Sequence, residues 1–380
     1  MKYVCFYDTV VGRRKIKMAS VNKINYICSA FNQIGVDIEL VSCSMTAPQK
    51  ISASVERLND HTTVRFFRTA KEARRPWTKI LQLIRRNLTL FFYLLFNTHK
   101  GETVAVYHSL INMRCIRLAK RLKRFKLLLE VEEIYNDVFL RSNSNRRAER
   151  AFIGSAEMYL FPTNILAGKV NSAHKPQAVV YGAYEAASVP SAPKKRGDKI
   201  RVAYTGSFDP NKGGLNAALE AAKYLDGSYV LHILGTDTPE RVRALEEYIK
   251  LHSEKDSCRI CYDGVRRGKE YTDYLFGMDI GLSTQNPDAG FNDSSFPSKV
   301  ISYLSCGLRV VSYPIRVLTE SELDPALYYY TENTPQSIAD AVKRIDLNAP
   351  YDGRAIIESL DSSFKNQLLE LRLNPKENKK

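Results

Sequence analysis

The segment Pro297-Ser-Lys-Val-Ile-Ser-Tyr-Leu-Ser-Cys-Gly307-Leu-Arg-Val-Val-Ser312 predicts a helix that leads directly into a strand. Pro297 suits the first turn of a helix, and Gly307 suits the residue that ends one. The run 308–312 is short and apolar, as expected of a strand buried on both faces of a parallel sheet. A helix followed by a buried strand is the repeating unit of an α/β fold.

The same alternation of strand-like and helical patterns runs along the chain in two series. Strands are predicted at 4–7, 37–41, 103–107 and 127–131, and again at 200–204, 229–234, 258–262, 280–282 and 308–312. Strands separated by helical segments indicate parallel sheets joined by crossover helices. We therefore expect the α/β class, with two doubly wound, Rossmann-like domains that face each other across a cleft.

The domain boundary is predicted at 186–198, where small residues, two prolines and a charge cluster interrupt both periodicities. This gives an N-terminal domain at 1–185 and a C-terminal domain at 199–354. A final helix at 355–373 can cross back to the N-terminal domain, and the polar tail 374–380 is expected to fray. Two domains suit a chain of 380 residues.

The charge of the chain narrows the class of partner. Fifty-six Lys and Arg against 41 Asp and Glu give a net charge of +15. Such an excess suggests a phosphate-bearing ligand, a nucleic acid or an anionic membrane. No recognition helix, aromatic RNA-binding motif or zinc-finger pattern is present, so no nucleic-acid partner is expected. Salt-sensitive binding to DNA that nucleoside diphosphate does not affect would instead favour a nucleic-acid-binding protein.

Membrane spans, metals and disulfides are not expected. The apolar run before Asp8 is too short for a signal peptide, which predicts a cytoplasmic protein. The longest apolar stretch, 88–96, is about half the ~18–20 residues that cross a bilayer. Seven scattered cysteines are expected to be reduced, and Cys258 and Cys261 lack the second pair of a zinc site.

Two loops in the second half have features of a phosphate site. Gly206 and Lys212 lie in a glycine-rich loop between a strand and a helix, where the backbone and a positive charge can approach a diphosphate. A plain strand-to-helix turn is the alternative reading. Ser298 and Lys299 begin the helix described above, whose free N–H groups and dipole favour an anion.

These segments together resemble the GT-B nucleotide-sugar glycosyltransferases of the family-4 type, including galactofuranosyltransferase-like variants that build cell-surface polysaccharides. The resemblance rests on five blocks in order: Gly206 with Lys212-Gly213, Ile233-Leu-Gly235, Tyr262-Asp-Gly264-Val265, Met278-Asp-Ile280, and Phe296-Pro-Ser-Lys299 with Tyr303, Gly307 and Val310-Val311. It covers about residues 200–315. It implies a retaining, metal-independent transferase with no cofactor besides the nucleotide sugar.

The resemblance also implies roles for individual residues. Gly206 and Lys212 match donor-diphosphate positions, Lys212 as the charge that stabilises the leaving group, and Gly235 is a further donor-binding candidate. Gly264 and Val265 match the nucleobase loop, and Ser298 and Lys299 match the helix start over the sugar and phosphates. Where the family has an arginine this chain has Ser207, so other cations are candidates: Arg13, Arg266 and Arg267. Where the family has two glutamates this chain has Ser294 and Ser302, with Asn292 or Asp293 as candidate substitutes.

The first domain offers three candidate sites. Gly12, with basic residues after it, can approach the diphosphate, although a solvated loop explains the pattern equally well. His108 follows a strand, where a structural histidine is commoner than a catalytic one. Glu130, Glu132 and Glu133 end the next strand, and the resemblance places acceptor contacts there. Glu132 and Glu133 are the predicted acceptor-orienting residues.

A basic amphipathic surface is predicted in the first domain. Apolar residues recur at helical spacing between Trp77 and Phe96, and the stretch 114–126 holds seven Lys or Arg and no acid. This pattern indicates binding at an anionic membrane, although an ordinary buried stripe beside solvated cations is the alternative. The predicted membrane-binding residues are Trp77, Arg85, Arg86, Arg117 and Arg121.

The function expected from the resemblance is sugar transfer from a nucleoside-diphosphate sugar to a glycan acceptor. The acceptor is expected to be lipid-linked, at the inner face of the cell membrane, in polysaccharide synthesis such as that of capsule or lipopolysaccharide. A GT-B epimerase or phosphorylase is the alternative within enzymes.

Overall fold

The computed structural model describes residues 1–10, 12–14, 16, 18–135, 143–186, 197–209, 213–252, 256–287, 292 and 295–373. Lys212, Asp293, Ser294, most of the predicted linker and the tail 374–380 lie outside these ranges. The chain divides into two compact units. Unit 1 comprises Met1–Ala183 and the chain from Ser363 onward, and unit 2 comprises Tyr184–Ser362.

The described part of unit 1 contains ten strands. They are β1 (Lys2–Cys5), β2 (Ile38–Ser42), β3 (Thr46–Ala47), β4 (Ser54–Asn59), β5 (Thr62–Phe66), β6 (Ala70–Lys71), β7 (Thr103–Tyr107), β8 (Lys126–Glu130), β9 (Met158–Phe161) and β10 (Gln177–Val179). Eight of them form one sheet in the order β10-β9-β8-β7-β1-β2-β5-β4, and β3 pairs with β6. Pairing in the large sheet is parallel except for the β4–β5 hairpin.

The helices of unit 1 connect its parallel strands. They are α1 (Met18–Gln33), α2 (Pro76–Asn97), α3 (Met113–Lys123), α4 (Asn143–Gly154) and α5 (Asn164–Val170). Strands β7, β8 and β9 are buried along nearly their whole length, which is why they are apolar throughout rather than alternating. The neighbours of β1 are β2 and β7, so strand order reverses at the β1–β7 pair.

Unit 2 is a six-stranded parallel sheet in the order β13-β12-β11-β14-β15-β16. Its strands are β11 (Ile200–Thr205), β12 (Tyr229–Leu234), β13 (Arg259–Tyr262), β14 (Ile280–Ser283), β15 (Arg309–Ser312) and β16 (Leu327–Tyr329). Its helices are α6 (Gly214–Ala222), α7 (Pro239–Leu251), α8 (Gly268–Phe276), α9 (Ser298–Ser305), α10 (Arg316–Thr319) and α11 (Pro335–Lys343).

The last helix, α12 (Gly353–Glu370), begins in unit 2 and ends in unit 1. Within unit 1, the ring of Phe364 stacks on Tyr26 of α1 with centroids 5.8 Å apart. Gln367 Oε1 accepts a hydrogen bond from the backbone N–H of Val179 at 2.8 Å. These contacts anchor the C-terminal half of α12 to unit 1.

All nine strands predicted from the sequence are present, each shifted by at most two residues. The β4–β5 hairpin and the short strands β3, β6, β9, β10 and β16 were not predicted. The residues of β4 are almost all exposed and include both Glu and Arg, so no apolar alternation marks them. Neither hydrophobic period could identify such an edge strand.

Candidate functional site

In unit 2, β11 and β14 are neighbours at the centre of the sheet. The strands β12 and β13 lie beyond β11 on one side and β15 and β16 lie beyond β14 on the other, so strand order reverses between β11 and β14. In doubly wound sheets, ligands bind beside the carboxyl ends of strands at such a switch point. The helices α6 and α9 begin at this edge, after the loops that follow β11 and β14. We call this edge, with Gly206, Gly235, Gly264, Ser298 and Lys299, the donor edge.

Three loops pack against one another at the donor edge. The Gly206 N–H donates to Leu234 O at 3.0 Å, and the Gly235 N–H donates to Gly264 O at 2.9 Å. Gly235 has a φ of +154°, and a Cβ on it would lie 2.0 Å from Gly206 O. Only glycine fits this approach, so Gly235 fixes the spacing of the loops after β11 and β12.

Lys299 brings a positive charge to Gly206. A Cβ built on Gly206 would lie 3.3 Å from Lys299 Nζ, and the same Nζ lies 4.2 Å from the centre of the Tyr204 ring. Ser298, the first residue of α9, is exposed, as are Gly206 and Ser207. An exposed glycine, a lysine and a helix start therefore converge at one point, which suits a phosphate.

Tyr303 holds α9 close to the sheet. A Cβ on Gly281 of β14 would lie 2.3 Å from the Tyr303 ring, so this ring lies directly on the strand backbone. The Tyr303 hydroxyl accepts a hydrogen bond from Thr205 N–H at 2.8 Å, one residue before Gly206. Tyr303 and Gly281 thus link α9 to the Gly206 loop, a function that the sequence reading missed.

Ser302, a candidate donor-binding residue, lies one turn into α9. Its hydroxyl donates to Ser298 O at 3.4 Å. The Tyr271 hydroxyl is 3.1 Å from the Thr205 hydroxyl, and burial is the main cause of its raised pKa. The hydrogen bond with Thr205 acts in the opposite direction. The Ser302 hydroxyl therefore has a partner within its own helix.

The structure contradicts the donor-binding role predicted for Asn292. Its side chain is buried, and its Nδ2 donates to the backbone carbonyls of Asn286 and Pro287 at 2.9 and 2.8 Å. Both amide protons are used within the loop after β14. Asn292 therefore holds that loop in shape and has no donor group left for a ribose.

Arg266, a candidate phosphate ligand, already has a local partner. Its guanidinium pairs with Glu270 at 2.7 Å and lies 4.5 Å from the centre of the Tyr274 ring. Val265 is 46% exposed in the same loop, and Arg267 is exposed at the start of α8. An exposed apolar side chain after Gly264 suits contact with a flat nucleobase.

A polar cluster that the sequence reading missed supports the Gly264 loop. Asp263 Oδ2 is 2.9 Å from His232 Nδ1 and accepts a hydrogen bond from the Tyr274 hydroxyl at 2.6 Å. Asp263 directly precedes Gly264, so these contacts fix where the loop leaves β13. His232 lies on β12 and Tyr274 on α8, so no local pattern joins the three residues.

His108 is a structural residue, contrary to the catalytic role considered for it. It is fully buried, and burial lowers its pKa to about 4, so the ring is neutral near pH 7. Its Nδ1 is 3.2 Å from Glu133 O. Its Nε2 is 3.4 Å from a carboxylate oxygen of Glu149 but has no hydrogen-bond partner. Because the ring is neutral, this contact is not an ion pair either. We do not propose His108 as a catalyst.

The three glutamates at and just after the end of β8 differ in environment. Glu130 is buried beside the Tyr3 hydroxyl, and burial, followed by the nearby Glu132 carboxylate, raises its pKa to about 8. Glu132 is half-buried and pairs with Lys23 of α1. Glu133 is half-buried as well. Glu132 and Glu133 are therefore accessible, whereas Glu130 is part of the core.

The basic loop after β1 is tied to an aspartate. Arg13 pairs with Asp8 at 2.6 Å and with Glu56 at 3.2 Å, and the buried Arg14 pairs with Asp8 at 2.9 Å. These contacts lower the pKa of Asp8 although burial opposes them. Gly12 has a φ of +78° between the aspartate and the arginines. Arg13 is thus committed within unit 1 rather than left as a spare phosphate ligand.

The apolar stripe of α2 is not ordinary core. Trp77, Ile80, Leu81, Ile84, Leu88 and Phe92 are all about half exposed, and only Leu90, Tyr93 and Leu94 of this helix are buried. Arg85, Arg117 and Arg121 are exposed, whereas Arg86 is half-buried. The stripe is therefore largely exposed to solvent rather than buried, and exposed basic side chains of α2 and α3 accompany it.

The described residues hold neither a metal cluster nor a membrane-spanning helix. No group of three His, Cys, Asp or Glu side chains that could hold a metal ion occurs among them. Within the same part of the chain, no helix is both long and apolar enough to cross a membrane. Cys261 lies in β13 and Cys258 is buried directly before it.

The sequence matches no protein-family model and has no significant match among curated proteins. The fold is similar to that of a trehalose-6-phosphate synthase studied with bisubstrate glycomimetics for glycosyl transfer with retention, at a TM-score of 0.67 and 13% identity over 98% of this chain and 99% of that one. It is similar to the UDP-forming trehalose-phosphate synthase of Burkholderia xenovorans with glucose-6-phosphate (0.65; 12%; 98% and 99%).

A third similar structure is that of HepE from Anabaena with UDP and glucose, at a TM-score of 0.63 and 13% identity over 97% of this chain and 98% of that one. These neighbours are GT-B glycosyltransferases, and identities this low establish the fold alone. The predicted fold class, α/β with two Rossmann-like domains of the GT-B type, is confirmed.

Proposed function

We propose that this protein is a glycosyltransferase that moves a sugar from a nucleoside-diphosphate sugar to a membrane-associated, lipid-linked glycan in cell-surface polysaccharide synthesis. The observation that carries the proposal is the donor edge, where Lys299 and the start of α9 meet Gly206 at the switch point of unit 2. The similar structures determined with UDP or UDP-glucose support a nucleotide-sugar donor.

The donor is proposed to lie with its diphosphate at Gly206 and Lys299 and its nucleobase at Gly264 and Val265. Lys299 and the N–H groups of α9 would stabilise the charge that develops on the leaving diphosphate, which is the largest catalytic term in many enzymes. Lys212 is proposed as a second phosphate-contacting cation. We propose retention of configuration, in line with the similar synthase studied for transfer with retention.

The acceptor is proposed to contact unit 1. Glu132 and Glu133 are half-buried carboxylates beyond the end of β8, where they can accept hydrogen bonds from sugar hydroxyls. The exposed apolar and basic surface of α2 and α3 is proposed to hold the protein at an anionic membrane, on the cytoplasmic side. Cations near such a surface gain about 1 kcal/mol each.

Thermal unfolding with UDP, GDP, dTDP and CDP tests the donor half of the proposal. A ligand that binds only the folded state raises its stability, so at least one diphosphate should raise the unfolding midpoint. The variant Lys299→Ala should lose this shift. Lys223→Ala is the matched control, because Lys223 follows the opposite end of α6 and pairs with Glu220 there. No shift with any diphosphate would refute the proposal.

Transfer itself is tested with Lys212→Ala and a radiolabelled nucleotide sugar. Loss of a charge-assisted phosphate contact worth about 1.5–3 kcal/mol should reduce the rate at least about tenfold. Activity near that of the unchanged protein would show that the loop at Gly206 is only a turn. Release of free product without an acceptor would favour an epimerase or a phosphorylase instead.

A further inference from the structure

Two cavities lie on the two flanks of α2 and share Leu83 at their common border. The first, about 630 Å³ in volume, runs between α2 and α3. Most of its lining is apolar, from side chains such as Ile84, Leu88, Phe91 and Leu118. Ile84, Leu88 and Leu118 are about half exposed, so the groove is open to solvent. Apolar patches of this kind mark binding surfaces rather than core.

The second cavity, about 110 Å³, lies between α2 and the small β3–β6 sheet. Four cations line it, namely Arg68, Lys79, Arg85 and Arg86, and no acidic side chain does. None of the four forms an ion pair with another described residue. The volume is well above the ~10–15 Å³ that one water needs, so a phosphate-sized group can enter.

Arg86 gives this cavity its strongest feature. Its Nε is buried without a hydrogen-bond partner, and burial lowers the pKa of its guanidinium. An arginine remains charged in spite of such a shift, so the fold keeps a cation half-buried with no counter-ion. An unpaired buried charge is costly, and an anion at this cavity would remove that cost.

We propose that the two cavities form one binding site for a lipid that ends in a phosphate monoester, with the phosphate in the basic cavity and the hydrocarbon chain in the apolar groove. The basic cavity and the apolar groove are adjacent and share Leu83, just as the phosphate and the hydrocarbon chain of such a lipid are adjacent. Arginine forks match phosphate oxygens, and each buried CH₂ of the chain adds to the affinity. This site identifies the acceptor of the proposed function as a lipid phosphate. Only the biological role of the site rests on the proposed function.

Binding is measured on the full chain with three probes: inorganic phosphate, farnesyl phosphate, and phosphatidylcholine vesicles that contain a long-chain polyprenyl phosphate. Vesicles with phosphatidylserine at equal surface charge serve as a fourth. The polyprenyl phosphate vesicles should bind at least about tenfold more tightly than the phosphatidylserine vesicles, because only the polyprenyl lipid presents a terminal phosphate to the arginines of the basic cavity. Farnesyl phosphate should bind at least about tenfold more tightly than inorganic phosphate, since a few buried CH₂ groups suffice for that factor.

The variant Arg85→Gln with Arg86→Gln should weaken binding of farnesyl phosphate by about tenfold or more, the loss expected for charge-assisted contacts. Arg147→Gln with Arg150→Gln is the matched control. Both of these arginines are exposed on α4 of the same unit and line neither cavity. Their substitution removes the same charge as that of Arg85 and Arg86. Equal losses in the two double variants would show that only the general charge of the surface attracts the lipid, and would overturn the proposal.

The variant Leu88→Ser with Leu118→Ser should weaken farnesyl phosphate binding several-fold and leave inorganic phosphate binding unchanged. Equal affinity of the unchanged protein for these two probes would make the cavity a site for free phosphate and would overturn the lipid assignment. Nucleoside-diphosphate stabilisation is measured on the same samples. Lipid binding without it would count against the proposed transferase alone, and stabilisation without lipid binding against this site alone.

Discussion

Replacing Lys299 by alanine is the sharpest test of the donor edge. Its ammonium lies 4.2 Å from the centre of the Tyr204 ring and 3.3 Å from the position of a Cβ on Gly206. A phosphate placed against the Gly206 backbone would therefore lie within reach of this charge. The nucleoside, placed at Gly264, would lie at the loop after another strand.

The expected loss follows from these positions. A charge-assisted hydrogen bond to phosphate is worth about 1.5–3 kcal/mol, or about 10- to 150-fold in the dissociation constant of a nucleoside diphosphate. Nucleoside binding should change less than about twofold, because no contact to the base is removed. The lost contact with the Tyr204 ring, about 0.5–1 kcal/mol, affects the stability of the protein instead.

Isothermal titration of Lys299→Ala with a nucleoside diphosphate and with its nucleoside separates these effects. The Lys223→Ala variant reports what the loss of any exposed lysine in unit 2 does. The difference between diphosphate and nucleoside should also shrink as salt is added, since screening weakens an exposed contact. Equal weakening of both ligands by Lys299→Ala would refute the assignment of this lysine to the phosphates.

Three further changes test other parts of the structure. Because burial raises the pKa of Glu130 to about 8, the folded chain binds more protons than the unfolded chain between about pH 4.5 and 8, and the free energy of unfolding should fall as pH rises through that window. Denaturant titrations at several pH values should show that Glu130→Gln removes this pH dependence. The same pH dependence in the variant and the unchanged protein would contradict the shift. Gly281→Ala puts a Cβ 2.3 Å from the buried Tyr303 ring and should cost about 1–3 kcal/mol or more in urea unfolding, so unchanged stability would show that the ring can move aside. Glu132→Gln or Glu133→Gln should leave nucleoside-diphosphate binding normal but slow transfer to the acceptor, and loss of donor binding in both would make these residues structural.

Most of the fold could be predicted because its signal is local. Parallel strands buried on both faces are continuous apolar runs, and β7, β8, β12 and β15 were each predicted within a residue or two. The β4–β5 hairpin has no such signal, since its outer strand is exposed on both faces. The stripe of α2 shows the limit of periodicity, because the same apolar spacing describes a helix face turned to the core or to solvent.

The sequence by itself determined where the loops of unit 2 turn at glycine and where α9 begins, at Ser298 and Lys299, because turns and helix ends depend on neighbouring residues. Only the tertiary structure decided what these positions contact. It brought Lys299 to Gly206, about ninety residues away, through the Tyr303 ring on Gly281, and it committed Arg13, Asn292 and His108 to internal partners. The physical reason is that a side chain's charge and hydrogen-bonding capacity are set by its own chemistry, whereas the partner that uses them is set by packing between distant segments.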